Sequence, residues 1–186
     1  MWKAPSDAVR SGQGPKQLPG PWRLMLLGDG SPTRHLRLLT GHDVQVQLIS
    51  MEPDPLPADS APLEISELTP PLLRRQVWLT CGPHTLAWAE SWWNQEAAEL
   101  HLKNRHQPIW RSLTQGRSEL FREVDGLALV EGDWLEEGFG QQGPFWSRHY
   151  RFFRHEQELT VIREVFSPML EMWLGPAPRQ ALDMSS

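Results

Sequence analysis

The sequence predicts an α+β fold, built from a single antiparallel β-sheet with a few helices packed on one face. Segments with the two-residue alternation of strands outnumber segments with helical periodicity. Successive strand-like segments are mostly separated by hairpin-length connections and not by long crossovers, which favours antiparallel pairing. The chain has 186 residues, of which 39% are apolar, so one domain can bury a core without a metal or a disulfide.

The ends of the chain differ in composition from its body. Residues 1–20 are rich in proline and glycine and poor in apolar side chains, which predicts a flexible N-terminal tail. Residues 21–174 are expected to form the domain. Residues 175–186 return to proline, glutamine and serine and are expected to form a loose C-terminal tail.

The first elements of the domain are predicted from periodicity and from helix-end signals. A short helix is expected over 33–40, with Ser31 or Thr33 as its N-cap and Gly41 as its stop. A half-buried strand is expected over 43–49. The segment 52–71 carries six prolines and several acids, so it is expected to run over the surface with at most one helical turn near residues 65–68.

The remaining elements complete the predicted sheet. Two strands over 73–81 and 85–93 are joined by Gly82-Pro83-His84, a spacing typical of a hairpin. Short helices are expected over 95–103 and 108–115. The last three strands are expected over 119–130, 145–154 and 158–166.

Composition excludes several classes of protein. Lys and Arg total 18 against 23 Asp and Glu, a net charge of −5, which argues against a nucleic-acid partner. No apolar run is long enough for a membrane span, and the single cysteine, Cys81, predicts a reducing, cytoplasmic compartment. The histidines lack metal-ligand spacing, so no metal site is predicted. The sequence also lacks the motif of a Ser-His-acid catalytic triad and that of a phosphate-binding loop.

Four charged residues share a predicted strand face with apolar side chains: Arg75, Glu90, Arg148 and Glu164. A buried charge without a partner is costly, so these groups are expected to pair with one another, to bind a ligand, or to face solvent. Arginine on an apolar wall suits an organic carboxylate because the guanidinium offers two parallel N–H donors. This pattern favours a site for a small, partly apolar, anionic molecule.

Several segments, taken in order, resemble the chorismate pyruvate-lyase family, in the branch found in photosynthetic bacteria and plastids. The resemblance covers about residues 22–170 and rests on Asp29-Gly30-Ser31-Pro32-Thr33, Leu73-Arg74-Arg75-Gln76-Val77-Trp78-Leu79, Pro108-Ile109, Arg122-Glu123 and Ile162-Arg163-Glu164-Val165-Phe166-Ser167-Pro168. It implies a domain of antiparallel sheet and helices that converts chorismate into 4-hydroxybenzoate and pyruvate without a cofactor.

The resemblance also implies roles for particular residues. Arg75 is the substrate-binding arginine, and Glu164 is the acid that faces the substrate hydroxyl. Arg148 corresponds to a basic position on the penultimate strand and is expected to meet the enolpyruvyl carboxylate. Pro32 and Thr33 belong to a loop near the pocket.

One position departs from the family pattern. Proteobacterial members carry a second pocket arginine fifteen positions after the first, where this chain has Glu90. A regular hairpin turning at Gly82-Pro83 places Glu90 opposite Arg75, so the two are expected to form an ion pair within the site. The alternatives are that Glu90 pairs with Arg148, holds a proton or points away from the site.

Three functions are compatible with the sequence. The first is a cofactor-independent, monomeric lyase with chorismate as its substrate and 4-hydroxybenzoate and pyruvate as its products. The second is a non-catalytic binding domain of the same fold for an aromatic carboxylate. The third is a scaffold whose sheet face meets a partner through Trp88, Trp92 and Trp146.

Overall fold

The computed structural model describes residues 2–114 and 120–179 and confirms the predicted fold class. Seven strands form one antiparallel sheet in the order β1-β5-β6-β7-β4-β3-β2. The strands are β1 (Trp2–Lys3), β2 (Val44–Pro53), β3 (Leu72–Cys81), β4 (His84–Asn94), β5 (Phe121–Val130), β6 (Phe145–Arg154) and β7 (Gln157–Phe166). The predicted strands therefore all exist, within a few residues of their expected bounds.

Short helices connect and cover these strands. They are α1 (Ser6–Arg10), α2 (Gly20–Leu27), α3 (Pro32–Thr40), α4 (Gln95–His101), α5 (Ile109–Thr114), α6 (Asp133–Phe139) and α7 (Glu171–Leu174), with 3₁₀ turns at Leu63–Glu67 and Pro168–Leu170. The predicted stop of α3 is confirmed, because Gly41 adopts a left-handed φ of 72°. None of the described helices is long and apolar enough to cross a membrane.

The helices pack on both faces of the sheet, so the expectation of a single covered face is wrong. On one face, called the cavity face, Leu26 of α2 and Leu36 of α3 pack in the cluster that contains Val77 and Ile162. On the other face, α6 packs on a cluster that includes Trp88. Because burial of apolar area is favourable, this packing on both faces keeps the tryptophans of the sheet away from water.

The segment 54–71, called the strap, also covers the second face. Its Ile65 and Leu68 are buried against Trp92 and Val161. This second face is therefore called the strap face. The single helical turn expected in the segment is confirmed as the 3₁₀ turn.

The β3–β4 hairpin turns at Gly82-Pro83 as predicted, but its register changes two residues later. Leu79 pairs with Ala87 and Thr80 pairs with Thr85, which leaves Leu86 as an extra residue in β4. Beyond this bulge, every residue of β4 is displaced by one position relative to the register that a regular hairpin would have.

The N-terminal segment is part of the domain, contrary to the flexible tail expected from its composition. Trp2–Lys3 pairs with Leu129 and Ala128 at the edge of β5. Val9 of α1 is buried, and Leu18 is 1% exposed. A few well-spaced apolar residues are thus enough to dock a segment whose overall composition is that of a linker.

The C-terminal segment has neither helix nor strand over residues 175–179. Gly175 is nevertheless fixed, because its carbonyl accepts a hydrogen bond of 2.8 Å from the indole of Trp22. The rest of the expected C-terminal tail, and the expected boundary between the helix over 108–115 and the strand over 119–130, lie outside the described residues.

Candidate active site

A cavity of about 470 Å³, its mouth included, lies on the cavity face between the sheet, α3 and the start of α5. Its wall combines apolar side chains with a few polar ones: Ser31, Pro32, Thr33, Val46, Arg75, Val77, Leu79, Ala89, Glu90, Ser91, Pro108, Ile109, Arg122, Tyr150, Phe152, Ile162 and Glu164.

Arg75 lies in this wall as the sequence predicted. The residue is 2% exposed, and its Nη2 donates to the carbonyl oxygens of Arg105 (2.7 Å) and Gln107 (3.3 Å). Its Nε is buried without a hydrogen-bond partner among the described residues. Burial lowers the pKa of Arg75 to about 10, and no carboxylate in the described part of the chain offsets this. The guanidinium is therefore a buried cation that has no carboxylate partner among the described residues.

Glu164 also lies in the wall, where it is held by two donors. The hydroxyl of Tyr150 donates to its Oε1 at 2.8 Å, and Nε of Arg148 donates to its Oε2 at 2.8 Å. Burial and the negative charge of Glu164 raise the pKa of Tyr150, so the phenol keeps its proton. Each carboxylate oxygen can accept a second hydrogen bond, so Glu164 can still receive a hydroxyl from a ligand.

The structure does not place Arg148 in the cavity wall, which corrects its expected contact with substrate. Nη1 of Arg148 donates to the carbonyl oxygens of Met25 (2.8 Å) and Gly28 (3.0 Å) at the end of α2. Arg148 is opposite Glu164 in the β6–β7 ladder. It therefore orients Glu164 and fixes the loop after α2, and it acts on the site through those groups.

Glu90 is not the partner of Arg75, which corrects the expected ion pair. Because of the bulge at Leu86, Arg75 is opposite Ser91, while Glu90 is opposite Gln76 in β3 and Arg163 in β7. Glu90 is among the residues that border the cavity, but its fully buried carboxylate is bound by Arg74 and Arg163 on the strap face.

On that face, Glu90 is bound by two arginines. Its Oε2 accepts from Nε of Arg74 at 2.8 Å, and its Oε1 accepts from Nε of Arg163 at 2.6 Å. The negative charge of Glu90, which was expected beside the ligand, is thus neutralised by arginines on the other face of the sheet.

Sequence reasoning missed Arg122, which lies in the cavity wall from β5. Its Nη1 donates to the carbonyl oxygens of Asp29 (2.8 Å) and Gly30. The guanidinium carbon lies 4.5 Å from the ring centre of Tyr150 and 4.6 Å from that of Phe152. Alternation with Val124 could have flagged Arg122, but the bulge in β5 at Asp125 interrupts the pattern a few residues later.

The loop 28–31 and the start of α3 close the cavity from above. Pro32 and Thr33 line it, as expected, and the hydroxyls of Ser31 and Thr33 are 3.0 Å apart. A Cβ at position 30 would lie 2.4 Å from Nε2 of His35, so a larger residue there would displace the His35 ring. Burial, together with the charges of Arg148 and Arg122, lowers the pKa of His35.

The fold and the cavity define a small-molecule-binding α+β domain whose site suits a partly apolar organic anion. The chain belongs to the family described as chorismate pyruvate-lyase Rv2949c-like, whose model matches residues 26–174.

Relatives within this family support the predicted plastid-type branch. The chain is 34% identical over 172 residues to the protein ycf21 of Porphyra purpurea, covering 90% of each chain. It is 28% identical over 173 residues to ycf21 of Cyanophora paradoxa, covering 92% of this chain and 90% of that one.

Solved structures with the same fold have little sequence in common with this chain. The effector domain of PhnF from Mycobacterium smegmatis matches with a TM-score of 0.57 at 15% identity, covering 77% of this chain and 91% of that one. The gene product SA0254 of Staphylococcus aureus matches with a TM-score of 0.53 at 11% identity, covering 66% of this chain and 83% of that one. At these identities the likeness concerns the fold alone.

Proposed function

We propose that this protein is a cofactor-independent lyase that converts chorismate into pyruvate and 4-hydroxybenzoate, a precursor of quinones. The observation that carries this proposal is the buried guanidinium of Arg75, which has no carboxylate partner in the described part of the chain and shares a cavity with Glu164. Membership of the chorismate pyruvate-lyase Rv2949c-like family supports it.

Arg75 binds the ring carboxylate of the substrate in this proposal. A carboxylate placed against the guanidinium supplies the acceptor that the buried Nε lacks and offsets the cost of burying the cation. Glu164 accepts a hydrogen bond from the 4-hydroxyl group. Its two protein donors, Tyr150 and Arg148, fix the direction of the carboxylate.

The reaction needs little covalent help from the protein. The C4–H bond and the C3–O ether bond break, the ring becomes aromatic and keeps its 4-hydroxyl, and the departing three-carbon unit gains the proton to become pyruvate. Aromatisation supplies driving force, so the site mainly orients the ether and excludes water. Pro32 and Thr33 belong to the wall that excludes water from the ligand.

The proposal is tested by incubating the purified, product-free protein with chorismate and following 4-hydroxybenzoate by its ultraviolet absorbance. We expect turnover, and we expect Arg75→Met to lower kcat/KM by about 100-fold, since a charged hydrogen-bond pair is worth roughly 1.5–3 kcal/mol. Arg74→Met is the matched control, because Arg74 is the next residue but binds Glu90 on the strap face. Its turnover should stay within about threefold of wild type. Absence of turnover by the intact protein contradicts the proposal.

A second function, that of a non-catalytic binding domain, is favoured by one finding. Structures with this fold include the effector domain of PhnF and the ligand-binding domain of a putative GntR-family regulator from Bordetella bronchiseptica, the latter with a TM-score of 0.50. Binding of 4-hydroxybenzoate that depends on Arg75, without any turnover of chorismate, would select this second function.

A further inference from the structure

The cavity holds a second arginine, Arg122, at the side opposite Arg75. Arg75 extends from β3 and Arg122 from β5, which are separated in the sheet by β4, β7 and β6. Strands lie about 4.8 Å apart, so the two backbones are roughly 19 Å apart, yet both side chains line one cavity. Glu164 lies between them on β7. The cavity therefore has one cation at each side and a hydroxyl acceptor in the middle.

Arginine side chains outnumber the single glutamate on the cavity face. Arg75, Arg122 and Arg148 contribute three positive charges, and Glu164 contributes one negative charge. Burial lowers the pKa of Arg122, with Glu164 and the exposed Asp29 acting in the opposite direction. The formal charges of these four side chains sum to +2, and a positive site attracts a ligand with two carboxylates more strongly than a ligand with one.

The fully buried position 90 cannot supply the second cation, because it is a glutamate whose carboxylate lies on the strap face. Arg122 is only 8% exposed, and its guanidinium is packed against the rings of Tyr150 and Phe152. Such packing holds the planar group in one orientation, so little conformational entropy is lost when it binds an anion.

We propose that Arg122 binds the second carboxylate of the substrate, that of the enolpyruvyl group, and so makes the site selective for dicarboxylates over monocarboxylates. This inference rests on the proposed function and names the residue that replaces the missing second arginine. Arg75 then holds the ring carboxylate, which remains in the product, whereas Arg122 holds the group that leaves as pyruvate.

The experiment measures binding by calorimetry with two stable probes, 4-hydroxybenzoate and 3-(carboxymethoxy)-4-hydroxybenzoate, which carries a second carboxylate on an ether. We expect wild type to bind the dicarboxylate at least about tenfold more tightly, and Arg122→Met to remove most of this preference while changing the Kd of 4-hydroxybenzoate by less than about twofold. Arg122→Lys should keep part of the preference. Arg75→Met should weaken both probes.

Two outcomes overturn the inference. One is equal binding of both probes by wild type, which needs no variant and so holds even if Arg122→Met fails to fold. The other is an equal loss of both probes in a folded Arg122→Met, since Arg122 would then only support the loop at Asp29 and Gly30. Turnover is not part of this readout, so a protein that prefers the dicarboxylate through Arg122 but leaves chorismate intact contradicts the lyase proposal alone.

Discussion

The hydroxyl of Tyr150 is one of two donors that hold the carboxylate of Glu164. Tyr150→Phe removes this donor and keeps the ring against Arg122. We expect chorismate turnover to fall about tenfold and stability to fall by about 1 kcal/mol, the usual value of one buried hydrogen bond. Steady-state kinetics and urea unfolding measure the two effects, and unchanged kinetics would show that Glu164 needs no second donor.

Glu90 gives a prediction of the opposite kind, since it stabilises the fold without facing the ligand. Glu90→Gln leaves Arg74 and Arg163 without their carboxylate, and both are partly exposed, so we expect a loss of about 2 kcal/mol, below the value for a fully buried pair. Affinity for 4-hydroxybenzoate should stay within about twofold of wild type. A change in affinity beyond that would place Glu90 in the site.

Alternation along single strands was enough to find Arg75 and Glu164, because each is the charged member of a regular apolar face. It could not assign Arg148 or Glu90, since the roles of those residues depend on which partners the neighbouring strands and loops bring. Main-chain carbonyl acceptors, such as those of Met25 and Gly28 for Arg148, leave no trace in a sequence.

At the scale of elements, the N-terminal segment is the clearest departure from expectation and gives a prediction. Deleting residues 2–10 removes the edge strand β1, the buried Val9 and the ion pair of Arg10 with the fully buried Asp125. Burial of one such apolar side chain is worth about 1.5–3 kcal/mol, so we expect the Tm to fall by about 8 °C. Differential scanning calorimetry measures this, and an unchanged Tm would show that the segment does not stabilise the sheet.

The elements that sequence reasoning missed are short helices with weak signals. In α2, Pro21 near the first position looks like a linker residue but is tolerated at a helix start. In α6, Gly138 breaks the helical pattern, and the structure explains it: a Cβ there would lie 2.3 Å from the ring of Trp78. Close packing against a tertiary neighbour required the glycine, and local propensity alone does not show this.

For the molecule as a whole, an ionic cluster between the strap and β7 makes stability depend on pH. Burial, with the neighbouring Glu67, raises the pKa of Glu158 from 4.5 to about 7, although Arg151 acts against this shift. The folded state therefore holds a proton that the unfolded state has lost between pH 4.5 and 7, so stability falls as pH rises through this window. Glu158→Gln should remove this part of the slope. Urea unfolding of both proteins at pH 5, 6, 7 and 8 measures it, and parallel profiles would contradict the assignment.

The extra residue Leu86 in the β3–β4 hairpin exchanges the faces of the sheet on which the following side chains of β4 lie. A hairpin that lacked it would bring position 90 directly opposite Arg75, and whatever side chain stood there would enter the cavity. In a hairpin of regular length, an arginine fifteen positions after Arg75 would therefore share the face of the sheet on which Arg75 lies. The insertion of one residue near this turn therefore determines on which face of the sheet the side chain at position 90 lies. A sequence comparison at position 90 is meaningful only after this inserted residue has been aligned.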